Sequence, residues 1–167
     1  GPVLKENLGY YINLYDIWSS YRPEDEGVMI AYTSVYGNTK KAVDMLAKKL
    51  EEKGVKVTVS DLARCDMAEA VEDAFRYGKI ILATTTYNGD LFPFMREFVN
   101  ELTERGYRNR KIGIVENGSW APVAKNKIVK AFELCKNLEF AETVVTIHSA
   151  VKDDNIVQIK KLAEEMK

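Results

Sequence analysis

From Gly27 onward, five short apolar runs alternate with five longer charged segments, and this alternation restricts the fold of the 167-residue chain more than any other feature. The apolar runs predict strands over 28–33, 55–60, 79–85, 111–116 and 142–148. The charged amphipathic segments predict helices over 39–53, 67–77, 93–105, 123–136 and 154–166. Strands that are each followed by a helix indicate an α/β sandwich, in which a parallel sheet is covered by helices on both faces.

Glycines and a proline mark several predicted boundaries. Gly54, Gly78 and Gly106 fall where helix C-terminal caps are expected. An additional helix is predicted within residues 5–21, where the apolar side chains recur at helical spacing, namely Leu8, Tyr11, Ile12, Tyr15 and Trp18. Pro23 and the acidic residues that follow it end this helix. We therefore divide the chain into an N-terminal helix with its linker, 1–26, and an α/β domain, 27–167.

The turn after the first predicted strand has the composition of an anion site. It consists of seven residues, Thr33-Ser34-Val35-Tyr36-Gly37-Asn38-Thr39. A turn of this kind before a helix presents main-chain N–H groups, hydroxyls and the positive end of the helix dipole at one point. It contains neither a P-loop nor a dinucleotide fingerprint, and it contains no Lys or Arg. Neutral donors suit one terminal phosphate monoester; an ordinary turn with Asn38 or Thr39 as helix N-cap is the alternative.

Two further turns should meet the first one, because the carboxyl ends of parallel strands gather at one edge of a sheet. These turns are Thr84-Thr85-Thr86-Tyr87-Asn88-Gly89-Asp90 and Glu116-Asn117-Gly118-Ser119-Trp120-Ala121-Pro122. We expect Tyr87 and Trp120 to form walls around a planar, partly apolar ring system. The Asn-Gly pairs at 88–89 and 117–118 allow positive φ, which would bring main-chain groups against ring heteroatoms. Taken alone, each turn also fits an ordinary tight turn.

The first turn resembles the phosphate loop of flavodoxins in its Tyr-Gly-Asn-Thr form, and the turns at 85–89 and 119–120 resemble the two isoalloxazine loops of that family. The resemblance implies a flavodoxin-like three-layer sandwich with a five-stranded parallel sheet of order 2-1-3-4-5, and noncovalently bound FMN. It assigns the phosphate to Ser34, Val35, Tyr36, Asn38 and Thr39. The complete expected cofactor-binding set is Thr33, Ser34, Val35, Tyr36, Gly37, Asn38, Thr39, Thr85, Thr86, Tyr87, Asn88, Gly89, Asn117, Gly118, Ser119 and Trp120.

Nearly the whole chain, including the aromatic segment 15–21, resembles the C-terminal flavodoxin-like domain of flavodiiron proteins. Those proteins reduce dioxygen or nitric oxide at a di-iron site in a separate metallo-β-lactamase-like domain. The resemblance implies an FMN domain without catalytic or metal-binding residues of its own, which relays electrons from a reduced cofactor or a small donor such as rubredoxin to the di-iron domain. It also implies a homo-oligomeric full-length protein. The loop at 118–122 departs from the Ser-x-Gly-Trp order common in the family, so its main-chain contacts to flavin stay unassigned.

The charge balance and the remaining composition restrict the kinds of partner that we expect. Basic and acidic residues balance, 24 against 25, which argues against nucleic acid and anionic membranes. The chain has no signal-peptide pattern and no apolar run of about 20 residues, so we expect a soluble, cytoplasmic protein. Cys65 and Cys135 form no metal-binding or disulfide pattern, and the one histidine, His148, is typical of a structural or surface residue. Gly1-Pro2 fits either the position after the last iron-ligating histidine of flavodiiron proteins or a protease scar.

The sequence can be compared with what three alternative functions would require. A stand-alone flavodoxin or an FMN-dependent quinone reductase would share the three turns, but the aromatic N-terminal helix argues against both. A signalling receiver domain has the same strand order and would need acidic residues after the first strand and an Asp after the third. Thr33-Ser34 and Thr84-Thr85-Thr86 stand at those positions, which disfavours this class.

Overall fold

A computed structural model describes residues 3–167, and Gly1-Pro2 lies outside the described residues. The strands are β1 (Asp25–Tyr32), β2 (Val57–Asp61), β3 (Tyr77–Tyr87), β4 (Asp90–Leu91), β5 (Arg110–Asn117) and β6 (Leu138–Ile147). The helices are α1 (Leu8–Ser19), α2 (Asn38–Glu51), α3 (Met67–Arg76), α4 (Pro93–Glu104), α5 (Ala124–Ala131) and α6 (Asp153–Glu165). None of these helices has both the length and the apolarity that crossing a bilayer requires.

Five parallel strands form the sheet in the order β2-β1-β3-β5-β6, which confirms the predicted order 2-1-3-4-5. The short β4 is an addition, and it pairs antiparallel with the end of β3. Asn88 and Gly89 connect these two strands with φ of 49° and 69°. Two consecutive left-handed residues match the right-handed twist of the flanking strands, so this Asn-Gly pair closes a two-residue hairpin.

Alternate side chains of each parallel strand enter two apolar layers. In β1, Met29 and Ala31 pack with α3, α4 and α5, whereas Val28 and Ile30 pack with α2 and α6. All four are fully buried. Because successive strand residues point to opposite faces, a strand that is apolar throughout requires helices on both sides. This packing confirms the three-layer sandwich.

Several predicted boundaries were wrong; the fifth parallel strand, for example, begins at Leu138 instead of 142. Gly78 does not cap a helix: α3 ends at Arg76, and the next residue, Tyr77, is extended, buried and paired with β1. Helix α5 ends at Ala131 instead of 136. Its continuation tightens into turns, in which Glu133 N–H and Cys135 N–H donate to carbonyls three residues earlier, at 3.3 and 2.9 Å.

Helix α1 is present as predicted and is attached to the domain mainly at its C-terminal end. Leu14 is its one buried residue, whereas Ile12 and Tyr15 are 69% and 73% exposed. After the helix, the Tyr21 hydroxyl donates to Arg105 O at 3.1 Å and Tyr21 O accepts from Arg110 at 2.7 Å. The division into 1–26 and 27–167 stays a prediction, although β1 already begins at Asp25.

Candidate functional site

A cavity of about 290 Å³ opens at the carboxyl ends of β1, β3 and β5, close to the lower limit of about 300 Å³ for typical small-molecule sites. Its walls come from the three predicted turns and from two segments that the sequence analysis missed. The lining residues are Ser34, Val35, Tyr36, Asn38, Thr39, Thr85, Thr86, Tyr87, Phe92, Asn117, Gly118, Ser119 and Ser149. The turns after β1, β3 and β5 therefore share one pocket.

The first turn leaves main-chain donors unpaired at the start of α2. Gly37, with φ of 84°, is the N-cap, so the alternative of Asn38 or Thr39 as N-cap is not what the structure shows. The Ser34 hydroxyl oxygen accepts from Gly37 N–H at 3.1 Å and from Lys40 N–H at 3.3 Å.

Five other N–H groups of this turn find no acceptor among residues 3–167: those of Ser34, Val35, Tyr36, Asn38 and Thr39. Unpaired N–H groups at a helix start are the usual elements of an anion site.

Two buried threonines support this turn from below. Thr33 and Thr84 are fully buried, and their hydroxyl oxygens lie 2.7 Å apart in a hydrogen bond between the ends of β1 and β3. Thr33 therefore lies beneath the cavity and does not line it. Its contribution is to fix the first turn relative to the second.

The buried side chain of Asn117 connects three turns. Its Nδ2 donates to Ser149 O at 3.3 Å and to Thr39 Oγ1 at 3.4 Å, while its Oδ1 accepts from Ser149 N–H at 3.1 Å. The hydroxyls of Ser119 and Ser149 lie 2.8 Å apart. Ser149 was missed, although it follows the fifth predicted strand and therefore lies at the same sheet edge.

The predicted positive φ is present at one Asn-Gly pair and absent at the other. Asn88 and Gly89 have positive φ but form the β3–β4 hairpin outside the cavity. Asn117 ends β5, and neither it nor Gly118 has positive φ. Gly118 is required for space, because a Cβ there would lie 2.9 Å from Pro122 Cα.

The aromatic wall differs from the prediction. Tyr87 lines the cavity and packs edge-to-face against Phe92, with ring centroids 5.6 Å apart. Trp120 lies outside the cavity and is 98% exposed. Its segment is anchored by Gly118 N–H to Ile147 O at 3.0 Å, by Val123 N–H to Thr86 Oγ1 at 3.0 Å and by the hydroxyl pair of Ser119 and Ser149. Nothing in these contacts fixes the indole, so the expected Trp120 wall is absent from this structure.

The cavity carries no charge. None of its lining residues is ionisable at neutral pH. The nearby carboxylate of Glu116 is buried and accepts from Lys125 N–H at 2.9 Å and from the Thr146 hydroxyl at 3.0 Å. The Thr85 hydroxyl oxygen is buried and has no hydrogen-bond partner in the described part of the chain. A ligand with a hydrogen-bonding ring edge and a phosphate fits this combination of donors.

Residues 29–148 match the sequence family that is described as the flavodoxin domain. The chain belongs to the flavodoxin family. This flavodoxin domain is 26% identical over 130 residues to the anaerobic nitric oxide reductase flavorubredoxin of Escherichia coli O1:K1 / APEC, a match that covers 77% of this chain and 27% of that protein. The domain thus spans about a quarter of the length of the curated relatives that it matches.

Solved structures share the flavodoxin-like fold. Rubredoxin oxygen:oxidoreductase from Desulfovibrio gigas superposes with a TM-score of 0.86 at 16% identity, over 95% of this chain and 39% of that chain. A mutant of the flavo di-iron protein from Thermotoga maritima gives 0.81 at 19% identity, over 99% and 41%. A flavodoxin from Streptococcus pneumoniae TIGR4 gives 0.71 at 24% identity, over 85% and 97%.

Proposed function

We propose that this flavodoxin domain binds FMN noncovalently and transfers electrons to the di-iron domain of a flavodiiron oxygen or nitric oxide reductase. The observation that carries the proposal is the uncharged cavity at the sheet edge, with unpaired N–H groups at one end and the unpaired Thr85 hydroxyl within it. These are the donors that a phosphate and a flavin ring edge require.

The start of α2 would hold the phosphate. The unpaired N–H groups of Val35, Tyr36, Asn38 and Thr39 would donate to its oxygens, and the Ser34 hydroxyl keeps its own proton to donate. Hydrogen bonds to a charged group contribute about 1.5–3 kcal/mol each, so several together hold a phosphate without Lys or Arg. The positive end of the α2 dipole adds to this.

The turns after β3 and β5 would hold the ring. Thr85, Thr86 and Ser119 offer hydroxyls, and Tyr87 with Phe92 offers an aromatic wall. The contacts of Asn88, Gly89 and Trp120 with the ring stay predictions, since all three lie outside the cavity wall.

When bound, FMN supplies one- and two-electron redox chemistry, and the protein supplies position and electrostatics. The lining has no cation that would stabilise added negative charge. Partly buried charge without a counter-charge is unfavourable, so these residues would lower the reduction potential of a flavin bound here. No general base or nucleophile is needed for this role.

The coverage of the comparison structures favours a flavodiiron protein over a stand-alone flavodoxin. The Thermotoga structure covers 99% of this chain and the Streptococcus flavodoxin 85%. The difference of about 14% corresponds to roughly 23 residues, nearly the length that precedes β1 at Asp25. A helix in the place of α1 is therefore expected in the longer proteins.

The partners belong to the same proposal. Two of the relatives carry rubredoxin in their names, which supports a small iron–sulfur protein as electron donor. The di-iron domain as acceptor, the homo-oligomeric full-length form and the cytoplasmic location stay predictions.

Purified protein should be yellow, and heat should release one FMN per chain, identified by its mass. On anaerobic mixing, reduced rubredoxin should bleach the visible absorption of the bound flavin. The protein should not catalyse the reduction of a quinone by NADH. Colourless protein that gains no colour from added FMN contradicts the cofactor, and rapid quinone turnover favours the quinone reductase instead.

A further inference from the structure

A row of polar side chains crosses the sheet directly below its carboxyl edge. Its members come from the ends of β1, β3, β5 and β6 and are Thr33, Thr84, Glu116 and Thr146. Thr84, Glu116 and Thr146 are register partners, and the Thr33 hydroxyl pairs with that of Thr84. Glu116 comes two residues after Ile114, so both side chains face the layer of α3, α4 and α5. Glu116 is the ionisable member of this row.

Glu116 places a negative charge in this layer without a counter-ion. The residue is 6% exposed and forms no salt bridge with a Lys, Arg or His of residues 3–167. Its Oε2 accepts from Lys125 N–H at 2.9 Å, and its Oε1 accepts from the Thr146 hydroxyl at 3.0 Å. These neutral donors and the positive end of the α5 dipole stabilise the carboxylate in its buried position.

This charge lies close to the cavity at the carboxyl ends of the strands. The start of α5 connects the two, because Val123 N–H donates to the Thr86 hydroxyl in the cavity wall and Lys125 N–H donates to Glu116. Two residues of chain span at most about 7 Å, so Glu116 Oε2 lies within roughly 13 Å of Thr86 Oγ1. The residue after Glu116, Asn117, lines the cavity itself. A charge at this range acts on any charge that develops in the cavity.

We propose that Glu116 lowers the reduction potential of the flavin by holding a fixed negative charge behind the cavity. This inference rests on the proposed function. Two electrons from the reduced donor and one proton from solvent leave one additional negative charge on the ring, which the carboxylate repels. At an effective dielectric constant of about 20, a unit charge at roughly 13 Å changes the equilibrium between oxidised and reduced FMN on the order of tenfold.

The test compares the parent protein with Glu116→Gln. The Gln oxygen can accept from Lys125 N–H and its amide can donate to the Thr146 hydroxyl oxygen, so the variant loses the charge and keeps both contacts. FMN-loaded protein is equilibrated anaerobically with a redox indicator dye, and the visible spectrum gives the ratio of reduced to oxidised FMN. Glu116→Gln should raise this ratio about tenfold, which is about 30 mV for a two-electron couple.

Two control variants separate the charge from changes in packing. Glu133→Gln removes an exposed carboxylate just beyond the far end of α5 and should change the ratio less than about twofold, because that charge is distant and in water. Thr146→Val keeps the Glu116 carboxylate and removes one of its donors, so the ratio should stay the same or fall. A loosened strand end would instead move Glu116→Gln and Thr146→Val in the same direction.

The outcomes distinguish this inference from the proposed function. A parent protein that binds no FMN contradicts the proposed function, and this inference with it. If FMN binds and Glu116→Gln leaves the ratio unchanged or lowers it, only the role of Glu116 is overturned. The same holds if Glu133→Gln raises the ratio equally, or if Thr146→Val raises it. The Thr146→Val result can overturn the inference even where Glu116→Gln does not fold.

Discussion

Adjacent threonines at the end of β3 have opposite hydrogen-bonding states. The Thr84 hydroxyl is paired with Thr33 at 2.7 Å, whereas the Thr85 hydroxyl is buried without a partner beside the cavity. A buried unpaired hydroxyl lowers stability, and such a cost is retained where the group serves a ligand. At this strand end, Thr84 therefore supports the structure, whereas Thr85 is available to contact a ligand.

Thr85→Val should stabilise the ligand-free domain by about 1 kcal/mol, because it removes an unpaired buried hydroxyl, and should weaken FMN binding about tenfold. Urea unfolding and FMN titration measure the two effects. The matched control, Thr84→Val, leaves Thr33 unpaired and should lower the free energy of unfolding. If Thr85→Val also destabilises the ligand-free domain, the hydroxyl has a partner in solution.

Tyr32 makes stability dependent on pH at the alkaline end. Burial, reinforced by the neighbouring Asp61 carboxylate, raises the pKa of Tyr32 to about 12. Since the pKa in the unfolded chain is about 10, the neutral phenol stabilises the fold below pH 10, and this contribution is lost as pH rises towards 12. Tyr32→Phe should flatten the decline in unfolding free energy above pH 10. An identical decline in both proteins would contradict the shift.

Individual side-chain positions were the least predictable feature. The sequence located the three turns, but it placed Trp120 in the wall and missed Phe92 and Ser149. Composition identifies a turn that can bind a ligand. Which side chain of an irregular segment points into the cavity depends on packing partners from other turns, such as the contact of Tyr87 with Phe92.

Among the elements, the β3–β4 hairpin depends on one glycine. Gly89 has φ of 69° and open space around an added Cβ, so a substitution there meets backbone strain alone. Gly89→Ala should cost about 1–2 kcal/mol of unfolding free energy. The control lies at the other end of β3: Gly78 has ordinary φ and 3.6 Å of room to Pro23, so Gly78→Ala should be neutral or slightly stabilising. Equal losses in both variants would refute the hairpin geometry.

Helix α1 contributes little to the stability of the domain, because most of its apolar side chains are exposed. Ile12→Gln, at a side chain that is 69% exposed, should change the unfolding free energy by less than about 0.5 kcal/mol. Leu14→Gln, at the buried position, should cost more than about 1 kcal/mol. Urea unfolding compares the two; similar losses would show that the outer face of α1 is packed in solution.

Element positions followed from periodicity, and their ends did not. Five apolar runs predicted the five parallel strands, because a strand that is buried on both faces must be apolar along its whole length. Gly78 was wrongly predicted to cap a helix, because glycine also occurs where a strand begins beside a bulky residue, here Tyr77. The sequence does not mark the early end of α5, because there is no glycine or proline at Ala131.

For the whole molecule, parallel topology separates two chemistries. The carboxyl ends of the strands gather neutral donors around one cavity, and the amino ends gather guanidinium and aromatic groups around another. The strand order came from resemblance to flavodoxins rather than from the residues themselves. Pairing between strands distant in sequence leaves no local pattern.

The central claim is that the start of α2 holds a phosphate with uncharged donors while the neighbouring turns hold a flavin. The direct measurement compares quenching of FMN and riboflavin fluorescence by the ligand-free domain. FMN should be quenched with one site per chain, and riboflavin, which lacks the phosphate, should bind at least about 100-fold more weakly. Equal affinity for the two flavins, or no quenching of FMN, would contradict the account.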